Sequence, residues 1–188
     1  MSSKTNFTKL VHRINRSYGC FLLWKYIRKS ISIPDSGKKE ATRRSNIMNH
    51  YDGIFSGVLY AVETTFIIDL HKFFDKSNKN LTLKTFIKNL PKIDQTKIDL
   101  LLDSVVNEIK RIEVLRHNNF AHEPKTPKEE KIFIQEIEKL FLIIQEILNI
   151  CGKSIGSPNM DWSLWEDSTN QSFSRLLDDL EKGSRIVK

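Results

Sequence analysis

"FSGVLYAVETTFIIDLHKFF", Phe55 to Phe74, carries Phe55, Val58, Leu59, Val62, Phe66, Leu70 and Phe73 at steps of three and four. That spacing gathers the large apolar side chains on one face of an α-helix. Ile54, Ala61 and Ile68 fall off the stripe, so the helix is apolar on more than one side, as the middle of a helical bundle requires. Continued upstream, the pattern predicts one long helix from about Ala41 to Phe74.

The flanking segments keep the helical period. Phe7, Leu10, Val11, Ile14, Phe21 and Leu22 mark an opening amphipathic helix that ends before "SIPDSGKK", a turn-rich linker with Pro34 and Gly37. After the long helix, "DKSNKN" is a break, and "LTLKTFIKNLP" predicts a short helix capped by Thr82 and stopped ahead of Pro91. Asp94 is a good N-cap for the next helix, whose narrow stripe is Ile98, Leu101, Leu102, Val105, Ile109 and Ile112. Thr126, Pro127 and Glu129 supply an N-cap, a first-turn proline and a capping-box acid for a helix through Phe133, Ile137, Leu140, Phe141, Ile144 and Leu148 to Cys151. Gly152 is its expected end. The stretch "GKSIGSPNMDWSLWEDSTNQ" is expected to be irregular and docked by Trp162 and Trp165, with a last helix from about Gln171 to Leu180. With no run of strands and no repeat, the predicted fold is all-α, an antiparallel helical bundle. It divides into an N-terminal helix and basic linker at 1–40, a bundle core at 41–152, and a tail at 153–188 packed on the bundle.

A chain of 188 residues is long enough to bury a core without disulfides. Cys20 and Cys151 lack the paired spacing of zinc or redox motifs and fit small buried hydrophobes in a reducing compartment. No apolar run reaches membrane-spanning length and no signal-peptide core follows the start, which predicts a soluble, cytoplasmic protein without a membrane partner. The absence of a glycine-rich phosphate loop, a serine elbow and a paired-cysteine motif argues against a P-loop NTPase, a serine hydrolase and a zinc enzyme, and no cofactor is expected.

The net charge of +7 is unevenly placed. Arg28, Lys29, Lys38, Lys39, Arg43 and Arg44 face only Asp35 and Glu40 in the same stretch, whereas the tail carries Asp161, Glu166, Asp167, Asp178, Asp179 and Glu181. The basic stretch, with Trp24 and Tyr26 close by, is either a solvated linker or a guide for a polyanion such as RNA. The acidic tail is a candidate for binding a partner or shielding the protein itself.

"VLRHNNFAHEPKTPKEE", Val114 to Glu130, concentrates an arginine, two histidines and two asparagines between two helical stretches. On an uninterrupted helix Arg116 lies about five turns after Ile98 and continues the apolar stripe. A buried guanidinium needs an acceptor or an anion, unless the helix end opens to solvent. His122 would lie about 120° around the axis and about 9 Å along it, so the two side chains converge only if the chain bends or a second subunit contributes. Three readings follow. Arg116 and Asn119 could bond the last helical carbonyls while His117 and His122 pack at the turn. Two histidines five apart with Glu123 lack the usual helical spacing of a metal site. An arginine fork with a titratable imidazole suits phosphoryl transfer. Glu63, an acid in an apolar stretch, is a second candidate, with Arg116 or a histidine as its partner. Asp69 and His71 project from different sides of their helix and are expected to be solvated, and His50 and Tyr51 to cap or pack.

The segment from Arg116 through His117, Asn118, Asn119, Phe120 and Ala121 to His122 resembles the signature of the HEPN superfamily (higher eukaryotes and prokaryotes nucleotide-binding): an arginine, a polar residue, and a histidine after a short spacer. The stretch "HYDGIFSGVLYAVETTFIIDLHKFFDKSNKNLTLKTFIKNL" is similar to the abortive-infection branch of that superfamily, and the likeness spans roughly His50 to Cys151. The resemblance implies a bundle of HEPN type with extra N- and C-terminal helical segments. It further implies a metal-independent endoribonuclease acting in phage defence or a toxin–antitoxin pair, with the motifs of two subunits facing one cleft. Arg116 would then hold the scissile phosphate, His122 would act as general acid or base, and His117 would orient the pair or carry a second proton. The implied partners are RNA, a second copy of the chain and an antitoxin or regulatory protein. The superfamily also includes members that only bind RNA or nucleotides, so a non-catalytic binding or regulatory module is the alternative.

Overall fold

The computed structural model describes residues 3–75, 81–119 and 133–186. Among them the chain is all-α, with nine helices and no strand. They are α1 (Ser3–Ser30), α2 (Ile33–Ser36), α3 (Lys38–His50), α4 (Asp52–Phe74), α5 (Leu83–Ile87), α6 (Lys92–Asp103), α7 (Val106–Asn119), α8 (Ile134–Ser154) and α9 (Ser163–Ile186). The predicted opening helix and the short Thr82-capped helix are both present. The Thr82 hydroxyl accepts from the Thr85 amide, and the Thr85 hydroxyl accepts from the Thr82 amide.

Several expected helix boundaries move, each for a local reason. The long helix from Ala41 to Phe74 is two helices, because Tyr51 leaves the helical region at φ −113° and ψ 34°. Its amide still caps α3 by donating to the Ile47 and Met48 carbonyls, and the His50 ring stands edge-on to its own. The stripe from Ile98 to Ile112 is likewise divided at Ser104 and Val105 between α6 and α7. The Ser104 hydroxyl donates back to the Leu101 carbonyl at 2.7 Å, and the Lys139 ammonium bonds the Ser104 carbonyl at 2.9 Å. Such back-bonding competes with the helical ladder and favours a bend. Helix α6 begins two residues before Asp94, after Pro91; Asp94 sits in the first turn and accepts from Ser154 at 2.5 Å.

Phe133 is extended, so α8 begins at Ile134, and the acid that bonds back to the Phe133 amide is Glu136. The expected cap at Thr126, Pro127 and Glu129 lies outside the described residues. Nor does Gly152 end α8. The helix runs through it to Ser154, and a methyl at Gly152 would stand only 3.2 Å from the Phe7 ring, so this glycine permits close packing. The stop comes at Gly156, φ +69°, where the Ser157 amide bonds the Gly152 carbonyl and the Gly156 amide bonds that of Lys153. This is a Schellman termination, which favours glycine at the left-handed position. The tail is helical from Ser163, well before Gln171. Glu166 and Asp167 in its opening turns complement the helix dipole.

The helices form two units that interleave in sequence: Met1–Tyr18 with Phe66–Asp161, and Gly19–Thr65 with Trp162–Lys188. In the first, α6 and α7 pack against α8, and Leu10, Ile14, Phe66, Phe73, Ile98 and Phe141 are fully buried or nearly so. Tyr18 meets Phe141 edge-on at 5.1 Å. Asp69 is also buried here, held by Arg16 through two hydrogen bonds of 2.7 and 2.8 Å, and is therefore not the solvated residue expected. Cys151 is wholly buried, and desolvation pushes its thiol up to about 12, while Cys20 is half-buried.

The second unit centres on Ile27, Ile47, Met48, Phe55, Phe173 and Leu177, where α9 packs against α3. Trp162 is buried there, but Trp165 is 41% exposed. Part of the charge contrast of the sequence is resolved inside this unit, through Arg43. Arg43 bonds Glu40, Asp178 and Glu181, Arg44 bonds Glu40, and Lys25 reaches Glu166.

Helix α4 is the one helix among the described residues long and apolar enough, by length and composition, to cross a membrane. The expectation that no apolar run reaches membrane-spanning length does not hold for this helix, in which only scattered polar residues interrupt the apolar ones. In its second half Phe66, Ile67, Leu70 and Phe73 are core residues, which gives the apolar composition a packing role.

Candidate functional site

Arg116 and His117 occupy the last turn of α7, where the negative end of the helix dipole favours cations. The break at Ser104 changes how they are presented. Leu115 takes the buried position that an unbroken helix would assign to Arg116, and the arginine is half-buried at the flank. Arg116 Nη1 donates to His117 Nδ1 at 3.3 Å. A guanidinium has hydrogens only to give, so this contact uses the Nδ1 lone pair and leaves Nε2 as the ring nitrogen that carries a proton. Among the described residues no carboxylate forms an ion pair with Arg116.

The third member of the cluster comes from the end of α4. The His71 ring meets the His117 ring edge to face, with centroids 6.0 Å apart and planes at 81°. His71 is half-buried, and its pKa is lowered, first by burial and then by the positive charge of Arg116; Asp75 and Glu113 oppose this and His117 adds to it. It is thus held as a neutral imidazole, able to accept a proton. Sequence reading set His71 aside with Asp69. A usable signal was present, since Ile67, Ile68 and Phe74 lie four before, three before and three after it, on the flank of a core stripe. The two neighbours do point to different sides, Asp69 to Arg16 and His71 to His117.

His122, Glu123 and the rest of the spacer after Asn119 lie outside the described residues. Glu63 is half-buried and accepts from the Trp24 indole at 3.3 Å, which answers its need for a donor. The aromatic residues of the basic stretch are likewise committed. Trp24 is buried beneath Arg28, and the Tyr26 hydroxyl donates to the Glu166 carbonyl at 3.1 Å. Of the cations in that stretch, Arg28, Lys38 and Lys39 are exposed. Among the described residues no three His, Cys, Asp or Glu side chains gather in a way that could hold a metal ion.

Beside the cluster lies a cavity of about 540 Å³ between the end of α4, α5, α6 and α7. His71 lines it on one side, Phe74 and Leu102 contribute to its apolar wall, and Asp103 and Lys110 to its rim. The arrangement as a whole offers a cationic fork, a neutral imidazole and an adjoining apolar recess. No protein-family model matches the chain, and no curated protein or solved structure matches it.

Proposed function

We propose that the chain is a metal-independent endoribonuclease of HEPN type, and that its site is built around Arg116, His117 and His122. The observation that carries the reading is the meeting of Arg116, His117 and His71 at the ends of two helices, with the guanidinium engaged by no carboxylate among the described residues. A fork of N–H donors suits a phosphodiester, and imidazoles suit proton transfer at neutral pH. In the reaction, one base removes the proton of a ribose 2′-hydroxyl, and that oxygen bonds to phosphorus. The bond to the 5′-oxygen breaks, and an acid returns a proton to it, leaving a 2′,3′-cyclic phosphate and a 5′-hydroxyl. Arg116 stabilises the charge that builds on the phosphoryl oxygens. His122 serves as acid or base, and His117 orients the pair or carries the second proton.

The same reading makes the protein soluble and cytoplasmic, places a second copy of the chain across the cleft, and assigns control to an antitoxin or regulatory partner in phage defence. It is tested by incubating purified protein with RNA in EDTA and identifying the new ends. Cleavage leaving cyclic phosphates, reduced at least about a hundredfold by His122→Ala and by Arg116→Ala, is the expected result. Protein that binds RNA with the same Arg116 dependence but never cuts it is a binding module instead.

A further inference from the structure

We infer that the cavity beside His71 is a subsite for one base of the RNA, a proposal that rests on the ribonuclease reading above. The recess measures about 540 Å³ and opens to solvent past Asp99, Asp103 and Lys110, which are exposed. It falls in the range of ~300–1,000 Å³ typical of small-molecule sites. The wall is formed by Phe74, Leu83, Ile87, Leu102, Ile109 and Ile112, and supplies a ring and branched aliphatic groups for a flat apolar body.

The rim narrows the choice of ligand. Asp75, Asp99, Asp103 and Glu113 accept hydrogen bonds, while Lys84, Lys88 and Lys110 donate them. A phosphate or a fatty acid would call for cations alone, whereas here four acids stand among three lysines and the lining mixes both signs. A nucleobase has an apolar face and an edge that both donates and accepts, and this rim matches it. Direction follows from His71, which lines the cavity and also faces His117, the ring bonded by Arg116. A nucleotide whose base enters the cavity therefore carries its phosphate past His71 toward the guanidinium.

The test is an NMR titration of the full chain with each of the four nucleoside 5′-monophosphates. Wild type is compared with Val106→Phe and Leu102→Phe, which fill the cavity from two places, and with Phe74→Ala, which removes the ring. Circular dichroism identifies variants that retain the helical fold. The expected result is a set of shifts on cavity residues of α5, α6 and α7 in wild type, with affinity on the order of tenfold weaker in Phe74→Ala and in at least one folded filling variant. Absence of these shifts, or shifts that persist unchanged in the folded variants, overturns the subsite. RNA cleavage is scored in parallel. Nucleotide binding that depends on the cavity in a protein that cuts no RNA leaves the subsite standing and removes the ribonuclease, and cleavage without such binding does the reverse.

Discussion

The rings of His71 and His117 meet edge to face with their centroids 6.0 Å apart, joining the C-terminal turns of α4 and α7. Because burial is the largest cause of the lowered His71 pKa and the Arg116 charge the second, the two are separable by mutation. In an NMR titration the His71 ring should protonate below its ordinary value of 6.5. Arg116→Ala should raise the midpoint without restoring it fully, since burial remains. The linkage has a definite sign. A folded pKa below the unfolded one contributes stability that is present above pH 6.5 and lost as pH falls through the folded value. A midpoint indifferent to Arg116→Ala would place the two side chains out of electrostatic reach.

The Arg16–Asp69 pair is asymmetric, with the arginine side chain 64% exposed and the aspartate 3%. Arg16→Ala leaves a buried carboxylate without these donors and should cost about 2–3 kcal/mol in urea unfolding. Asp69→Leu instead returns the guanidinium to water and puts an apolar side chain in its place, so it should cost less. If Asp69→Leu proves the more damaging change, the pair is not where the sensitivity lies.

Helical period, the Thr82 cap and the apolar length of α8 were legible because each is a local signal that packing reinforced. The breaks at Tyr51 and Ser104 were not, since both interrupt apolar stripes whose spacing continues across them. Tyr51 is fixed by its own backbone and by bonding partners far along the chain, including the Leu180 carbonyl at 3.5 Å. Ser104 needs Lys139 from α8. The candidate site had the same mixed legibility. Arg116 and His117 stood out as polar residues at the end of a stripe, but the approach of His71 depends on how α4 meets α7, which no local pattern encodes. The acidic tail was visible as composition, while its pairing with Arg43 required knowing that α9 lies on α3.

Gly37 separates α2 from α3 at φ 76° and ψ 152°, a region that residues with a Cβ rarely occupy. Nothing stands within 4 Å of where a methyl would go, so any cost of Gly37→Ala comes from the backbone. Thermal unfolding should report a loss of about 1–3 kcal/mol. A neutral result would mean that the connection relaxes into another conformation.

Glu40 is bonded by Arg43 and Arg44, and these hydrogen bonds hold its carboxyl at about 2, below the ordinary 4.5, against the opposing effect of desolvation. The group is partly exposed, so solvent screening keeps its contribution within the range of surface pairs, about 1 kcal/mol or less. A depressed folded pKa gives stability that is present above the unfolded value and lost as pH falls through the folded one. The stability difference between wild type and Glu40→Gln should therefore be constant near neutrality and shrink between pH 4.5 and about 2. Arg43 also bonds Asp178 and Glu181 of α9, so Arg43→Ala should destabilise more than Glu40→Gln does. The difference between those two variants should diminish in high salt, because the pairs it reflects are partly open to solvent. Denaturant titrations at several pH values and two salt concentrations measure all three quantities. Equal losses for the two variants would show that the acids of α9 add nothing to what Glu40 alone provides.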